Sequence, residues 1–406
     1  MAGRNVKAKD KMKHKISQIT MLMIVGLLLF IVVSFVLYLS KSAVKKQNQL
    51  SVKGAQQTSV DTLAIKNFVE NCANKLTKES FLLLGKQGGY LYKSQGGTLI
   101  DYDETSDEGK FFVKYNGFNV VYNILPPRFE SSFYTAKIPD YPWKTFPYTS
   151  SHTEVFDGFF GINNMPFLYS YQGPHSIQAQ IESYIDNNFE KCLDLDFLKN
   201  QIYDIEIKKS KTQANIGRDN VNVKIDLPIT LKNKNTKETF ELGKFSTSID
   251  LRLRGIYTYI KNLVDRDVKN IKFDIGNADS SEFGINIIQN FYSNDDLVII
   301  TDEKSQINGK PFQYVFVRKN RAPALYYLSP DALYFDSGKN ITEADILQGQ
   351  ELKAEDPDED HLQFSIKALA ADPSLPKTLD VPELKFRVEV NDGNLKDYQD
   401  ITVYRK

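Results

Sequence analysis

A run of 24 uncharged residues near the N-terminus constrains this chain more than any other feature. It extends from Ile16 to Leu39 and reads ISQITMLMIVGLLLFIVVSFVLYL, without a polar face. At about 1.5 Å per residue such a helix is roughly 36 Å long, enough to cross a hydrocarbon core of about 30 Å. It is also longer than the apolar part of a cleaved signal peptide, although cleavage near Ser40 or Ser42 is an alternative. The run predicts a transmembrane helix over residues 16–40.

The distribution of basic residues around this run predicts its orientation. Six basic residues and a single acid, Asp10, precede it. The six are Arg4, Lys7, Lys9, Lys11, Lys13 and Lys15. Only Lys41, Lys45 and Lys46 follow closely, so the tail of residues 1–15 should stay in the cytoplasm. We therefore expect a single-pass protein of the cell membrane, with the bulk of the chain extracellular and the membrane as its partner through residues 16–40.

Composition argues against nucleic acid as a partner. The chain carries 51 Lys and Arg against 51 Asp and Glu, so its formal net charge is zero. The basic tail is explained by topology and by attraction to anionic headgroups. We therefore expect no nucleic-acid partner.

Residues 41–60 are polar and predict a stalk, and residues 61–320 predict an α+β ectodomain with a sub-boundary near residue 200. One amphipathic helix should start at Asp61 or Thr62 and stop at Gly85. A second should start near His175 or Ser176 and run to Cys192.

Two asparagine–glycine pairs interrupt apolar runs in the same region. Asn116–Gly117 and Asn308–Gly309 each predict a β-hairpin, because both central residues of the tight turn need positive φ.

Residues 321–406 change to strand and turn patterning with little helix. Phe386, Val388 and Val390 alternate on one face, and a turn at residues 391–393 leads into Ile401 and Val403. This predicts a small all-β sandwich at the C-terminus.

Residues 126–174 are rich in proline and aromatic side chains. They hold seven of the 15 prolines, 13 aromatic residues and the only tryptophan. One interpretation is an irregular segment held by aromatic packing. The other is a binding surface for a glycan or a protein, with Tyr141, Trp143, Phe146 and Tyr148 as candidate contacts. Asn340, in the triplet NIT, is a glycosylation candidate.

The two cysteines share a short context. Cys72 follows NFVEN and Cys192 follows NFEK, and both lie on the apolar faces of the predicted helices. An even cysteine count in an exported chain favours a Cys72–Cys192 disulfide. Free buried thiols are the alternative, and a metal or catalytic role is the least favoured because the four histidines show no ligand spacing.

An acidic turn near the C-terminus is the one candidate metal site. Asp356, Asp358 and Asp360 alternate in AEDPDED, and Asp392 can approach them from the final hairpin. Oxygen ligands from two loops suit Ca²⁺. The alternative is a solvated acidic turn with no cofactor.

Three resemblances follow from these motifs. NRAPAL, AEDPDEDHLQFSI and FRVEVNDGNLKDYQDITV together resemble the cadherin-like and dystroglycan-type immunoglobulin modules of microbial surface proteins. That resemblance covers about 86 residues and implies a β-sandwich used for adhesion or spacing. The apolar run, FVENCANKLTKESFLLLGKQGGYLY and IESYIDNNFEKCLD are similar to an uncharacterised group of archaeal membrane-anchored proteins, with paired cysteines and a QGGY sequence. The KISQI junction resembles the leader site of type IV pilin-like proteins, which implies cleavage after Lys15.

Three functions remain open at this point. The first is a non-catalytic, membrane-anchored surface protein for adhesion, envelope structure or partner binding. The second is a pilin-like filament subunit starting at Ile16. The third is a surface hydrolase that would use acids such as Asp274, Asp295 and Asp296. We expect no enzyme, because the sequence has no nucleophile elbow, no phosphate-binding glycine loop and no HExxH motif.

Overall fold

The computed structural model describes residues 59–127, 160–193, 203–235, 237–279, 281–328, 334–335, 352–369 and 383–405. The chain divides into two units, Met1–Ala64 and Ile65–Lys406. The predicted tail and membrane span, most of the stalk, the four candidate aromatic contacts and Asn340 lie outside the described residues. Within the described ranges, no helix is long and apolar enough to cross a membrane.

Helix α1 comprises Ser59–Lys86 and is longer than the sequence predicts at both ends. Gly85 was expected to stop it, but this glycine lies inside the last turn. A Cβ at Gly85 would be 2.3 Å from the carbonyl oxygen of Gln313, so the glycine permits a close backbone approach. The helix ends at Lys86, and Gly88 and Gly89 of the turn that follows have φ values of 72° and 87°. The N–H of Gly89 donates to the carbonyl of Leu84 at 2.9 Å.

Strands β1 (Phe112–Tyr115) and β2 (Phe118–Leu125) form the predicted hairpin. Asn116 and Gly117 lie at its tip with φ values of 47° and 81°, which confirms the turn. A short strand, β3 (Ile162–Asn163), pairs antiparallel with β2. Two 3₁₀ turns, Lys93–Gln95 and Ser170–Gln172, flank this part of the chain.

Helix α2 comprises Ile177–Cys192, as the sequence predicts. Ser176 caps it, because its side chain accepts a hydrogen bond from the N–H of Ala179. Cys192, the last helical residue, is bonded to Cys72 in α1, with the two Cα atoms 5.9 Å apart. The predicted disulfide is confirmed.

A four-stranded antiparallel sheet follows α2, with β6 at its centre. Its strands are β4 (Tyr203–Ile207), β5 (Lys211–Ile216), β6 (Val221–Asn233) and β7 (Thr239–Ile249). Strands β4 and β5 share one edge of β6, and β7 pairs with the other. Alternate residues of β6 are buried, as expected for a sheet with one face on a core.

Helix α3 (Leu253–Asp267) leads into the strands that complete the first sheet. These are β8 (Gly284–Tyr292), β9 (Asp295–Ile307) and β10 (Lys310–Arg318). The order is β1-β2-β10-β9-β8, and β10 pairs with β2 in parallel. Asn308 and Gly309 form the predicted turn between β9 and β10, both with positive φ.

One large core joins the three helices to both sheets. Val69 of α1, Ile181 of α2, Val223 of β6, Ile260 of α3 and Phe316 of β10 all belong to it and are fully buried. Residues 65–320 therefore form one α+β body, in which two sheets and three helices pack around a shared core. The sequence predicted this fold class.

The C-terminal residues form strands without a described helix. The strands are β11 (Ala324–Leu325), β12 (Tyr334–Phe335), β13 (Ala354–Glu355), β14 (Gln363–Ala368), β15 (Glu383–Asn391) and β16 (Lys396–Arg405). They make a four-stranded sheet, β12-β16-β15-β14, and a two-stranded one, β11-β13. Phe386, Val388 and Val390 of β15 lie on the buried face of the four-stranded sheet, as the alternation predicts. These strands belong to the same compact unit as the α+β body.

Candidate functional site

Two arginines at the end of β10 are almost completely buried. Arg318 is the last residue of the strand and Arg321 follows three residues later; they are 2% and 0% exposed. Arginine is seldom buried to this extent without charged partners. Both side chains extend into the contact between the α+β body and the C-terminal strands, which we call the charged junction.

Asp358 is the partner from the C-terminal part. Its Oδ2 accepts from the backbone N–H of Arg321 at 2.6 Å, and its Oδ1 accepts from Nη2 of Arg321 at 2.7 Å. The carbonyl of Asp358 accepts from Nη2 of Arg318 at 3.0 Å, and that of Pro357 accepts from Nη2 of Arg321 at 2.8 Å. The DPDED turn is therefore hydrogen-bonded to the guanidinium groups of both Arg318 and Arg321.

The α+β body contributes two further carboxylates to the charged junction. Asp296 on β9 accepts from Nη2 of Arg318 at 2.6 Å. Asp267, the last residue of α3, lies 2.8 Å from Nη2 of Arg321. Nη1 of Arg321 also donates to the carbonyl of Phe160 at 3.0 Å. One network thus joins α3, β9, β10 and the acidic turn.

The electrostatic balance keeps the arginines charged. Burial alone would lower the pKa of Arg318, but Asp358, Asp267 and Asp296 outweigh it and raise the pKa above its ordinary value. Burial raises the pKa of Asp267, while the two guanidinium groups oppose that rise. Two buried cations with three close carboxylates satisfy the condition under which buried charge is tolerated.

Asp295 belongs to a second group of contacts beside the junction. It accepts hydrogen bonds from the hydroxyl of Tyr122, from Nζ of Lys319 at 3.2 Å and from the backbone N–H of Asn320 at 2.9 Å. Burial raises its pKa, against the effect of these donors. Asp295 and its neighbour Asp296 are therefore both bound to protein donors, on different partners.

Asp392 reaches the junction from the turn between β15 and β16. Its Oδ1 accepts from the backbone N–H groups of Asn394 and Leu395 at 2.7 and 2.6 Å. Its Oδ2 accepts from Nδ2 of Asn320 at 3.1 Å. The turn of the final hairpin is therefore attached to the residues that follow β10.

Four oxygen atoms at the junction are buried without a hydrogen-bond donor among the described residues. One is Oδ2 of Asp267, which has only the ion-pair contact with Arg321, and the others are Oδ2 of Asp356, Oδ2 of Asp360 and Oδ1 of Asn320. Asp356 Oδ1, in contrast, accepts from the backbone N–H groups of Asp358 and Asp360 at 2.8 and 3.1 Å. Burial and then the charge of Asp358 raise the pKa of both Asp356 and Asp360 to about 7.

The four aspartates of the candidate calcium site have different roles in this arrangement. Asp358 is bound to the arginines and Asp392 holds a turn, whereas Asp356 and Asp360 have free oxygens. No group of three or more His, Cys, Asp or Glu side chains in the described ranges is arranged to hold a metal ion. The carboxylate oxygens of Asp356 and Asp360 and the amide oxygen of Asn320 are ligands of the kind that Ca²⁺ uses. They number three, whereas Ca²⁺ usually takes about six to eight oxygen ligands. Calcium binding stays a prediction.

Sequence reasoning missed Arg318, Arg321 and Asn320. The sequence feature that could have indicated them is VRKNRAP, at the end of an apolar run, where two arginines stand in place of further apolar residues. The acidic turn that pairs with them lies some 37 residues further along the chain.

Two comparisons with known proteins, one with family models and one with curated sequences, found no match. No family model matches the chain, and no curated protein is significantly similar to it. Function is therefore inferred from the described residues themselves.

Proposed function

We propose that this chain is a membrane-anchored extracellular protein of structural or partner-binding function. In this proposal, the C-terminal strands form an immunoglobulin- or cadherin-like module at the far end of an α+β body. The uncharged run of residues 16–40 would supply the anchor. The Cys72–Cys192 disulfide supports an oxidising location, since such bonds persist outside the cytosol.

The charged junction is the observation that carries the structural function. Arg318 and Arg321 reach the acidic turn, α3 and β9 at once, and every one of these groups is buried. A flexible linker between two modules would instead be polar and exposed. A module held in one orientation suits adhesion or spacing at a cell surface, because the position of its free end is then defined relative to the body.

The hydrolase alternative is weakened by the contacts of its candidate acids. Asp296 is paired with Arg318, and Asp295 accepts from Tyr122 and Lys319. Neither acid is free to act as a general base, and a pair of carboxylates flanking an open cleft is what glycoside hydrolysis needs.

Surface location is tested on intact cells that carry an epitope tag after residue 406. External protease should remove the tag, while alkaline carbonate should leave the N-terminal fragment in the membrane. A matched tag before residue 1 serves as the control and should survive the protease. A protected C-terminal tag would contradict the proposal. N-terminal sequencing of the mature chain addresses the pilin-like alternative, for which Ile16 would be the first residue.

A further inference from the structure

The first sheet carries an open hollow of about 470 Å³ near the tip of the β9–β10 hairpin, away from the charged junction. Its polar lining residues are Asn286, Thr301, Glu303, Lys310 and Gln313, and Gly284 forms part of its wall. Ile285 and Pro311 add apolar surface. The volume falls within the range of small-molecule sites.

A bulge in β9 lies beside the hollow. Asp302 pairs with Phe312 and Gln306 pairs with Pro311, so the three residues between Asp302 and Gln306 have no counterpart on β10. Glu303, the first of these, lines the hollow. Bulges of this kind redirect side chains and often occur beside functional sites.

Buried contacts hold the bulge in place. Asp302, which is 1% exposed, accepts from the hydroxyl of Ser305 at 2.6 Å and from the backbone N–H of Lys304 at 3.1 Å. Arg252 binds the same carboxylate through Nε at 3.1 Å, and its own N–H donates to the hydroxyl of Ser305 at 3.0 Å. The wall of the hollow is therefore preorganised by Arg252, the residue that precedes α3, rather than left to a free loop.

The polar side chains of the hollow face solvent and are accessible to a ligand. Among the described residues, Asn286, Thr301, Glu303 and Lys310 make no side-chain hydrogen bond or ion pair with the protein. Gln313 is partly engaged: its Oε1 accepts from Nζ of Lys86 at 2.5 Å, which leaves its amide N–H groups to donate.

Charge in the hollow favours a singly charged anion. Lys310 lies close enough to Lys86 that burial and the charge of Lys310 together lower the pKa of Lys86. Neither lysine has a carboxylate within ion-pair distance in the described part of the chain. Lys310 and Glu303 of the lining balance each other, and Lys86, which lies outside the lining but binds Gln313, adds one positive charge beside the hollow.

We propose that this hollow binds one anionic sugar residue of the hexuronic acid class. Lys310 receives the carboxylate of the sugar, and Asn286, Thr301 and Gln313 exchange hydrogen bonds with its hydroxyl groups. Glu303 selects against phosphate and sulfate, because their negative charge is spread over all their oxygen atoms and would face this carboxylate, whereas a uronate presents hydroxyl donors to it. Ile285 and Pro311 contact the C–H face of the ring. The site is independent of the charged junction and of any cation there.

The test is ligand-observed NMR and calorimetry on the full chain in detergent, with glucuronate, glucose and inorganic phosphate as separate probes. Glucuronate should bind at least about tenfold more tightly than glucose, since a charge-assisted hydrogen bond is worth more than a neutral one. Phosphate should not displace it. Equal affinity for glucuronate and glucose, no binding of glucuronate, or displacement by phosphate would each overturn the proposal.

Two variants and a control locate the binding. Lys310→Gln should abolish the preference for glucuronate over glucose. Gly284→Val should block both sugars; a Cβ at this position meets nothing nearer than 3.7 Å, so the strand can accept a side chain, and the added methyl groups narrow the hollow at its wall. Lys304→Gln removes the same charge from an exposed bulge residue outside the lining and should bind as the unaltered chain does. Unfolding temperatures verify that each variant is folded. If glucuronate binding survives in both Gly284→Val and Lys310→Gln, the site is not this hollow.

Discussion

Arg321 and Asp358 hold each other through two contacts, one from the backbone and one from the side chain. The N–H of Arg321 donates to Oδ2 of Asp358 at 2.6 Å, and Nη2 donates to Oδ1 at 2.7 Å. The carboxylate is thus fixed in position as well as neutralised. Arg321, the first residue after the α+β body, makes both of these contacts with the acidic turn of the C-terminal strands.

Replacement of Asp358 by asparagine should destabilise the protein severely. It leaves Arg318 and Arg321 buried with one carboxylate fewer, and breaking a buried pair from one side typically costs about 3–5 kcal/mol. Urea unfolding of the chain without its first 58 residues measures the change. The matched control is Asp400→Asn, which breaks an exposed pair with Arg387 and should change stability little. Similar losses in the two variants would contradict the importance of the junction.

Acidification should stabilise the protein through Asp356 and Asp360. Their pKa of about 7 in the folded protein is above the ordinary value of 3.8, so the folded state binds these protons more tightly than the unfolded chain. Their contribution is therefore largest at low pH and is lost as the pH rises through about 7. The unfolding temperature, measured in metal-free buffer from about pH 8 to about pH 5.5, should rise as the pH falls. The double variant Asp356→Asn, Asp360→Asn should flatten this dependence, and Asp400→Asn should preserve it. An unfolding temperature that falls over this range in the unaltered chain would contradict the prediction.

Calcium should have the same stabilising effect at neutral pH if it binds at the junction. A cation would take the place of the protons on Asp356 and Asp360 and use the free oxygen of Asn320. Millimolar Ca²⁺ should raise the unfolding temperature and remove the pH dependence described above, since a ligand that binds only the folded state stabilises it. The double variant should lose the shift. Asp103→Asn, in an exposed acidic loop remote in sequence, should retain it. If Ca²⁺ does not change the unfolding temperature, the charges of Asp356 and Asp360 are neutralised by protons and not by calcium.

Loss of the disulfide should weaken the α+β body without unfolding its sheets. The bond closes a loop of 120 residues, for which the chain-entropy model gives about 4–5 kcal/mol. The double variant Cys72→Ala, Cys192→Ala should show a loss of this order in urea unfolding. Peptide mapping without reduction should recover the two cysteines in one cross-linked pair. Recovery of two freely alkylated thiols from native protein would exclude the bond.

Two glycines in helices should respond oppositely to alanine. A Cβ at Gly85 would be 2.3 Å from the carbonyl oxygen of Gln313 and 2.9 Å from the ring of Phe312, so Gly85→Ala should force α1 away from β10 and destabilise the protein. Gly255 in α3 is exposed, with nothing nearer than 3.9 Å, so Gly255→Ala should stabilise by about 0.4–1 kcal/mol. Thermal unfolding of the two variants compares them directly. A neutral Gly85→Ala would show that the close packing of α1 on β10 is not needed.

The elements predicted from the sequence are those that local chemistry specifies. Positive φ at Asn116–Gly117 and Asn308–Gly309 and the start of α2 near Ser176 depend only on neighbouring residues, and all were predicted. The stop of α1 was misplaced, because the reason for Gly85 is the backbone of Gln313, more than 200 residues further on.

The junction was missed for a related reason. Counting back from the turn at Asn308–Gly309 would place Arg318 opposite Ile299, an apolar residue. The bulge in β9 shifts the register by three and brings Arg318 opposite Asp296. The local sequence does not predict this shift of register between β9 and β10, because the bulge is held by the contacts of Asp302 with Arg252 and Ser305. Asp356, Asp358, Asp360 and Asp392 were identified as neighbours, but their partners were not.

The position of the disulfide along α1 determines how the protein would bear a pulling force. Tension applied at the N-terminal end of α1 can strip only the thirteen helical residues before Cys72. Beyond that point the load passes through the covalent bond to the C-terminal end of α2, and the 120-residue loop between the two cysteines carries none of it. A tether at this end would therefore leave the first sheet's β1–β2 hairpin, which lies inside that loop, mechanically shielded.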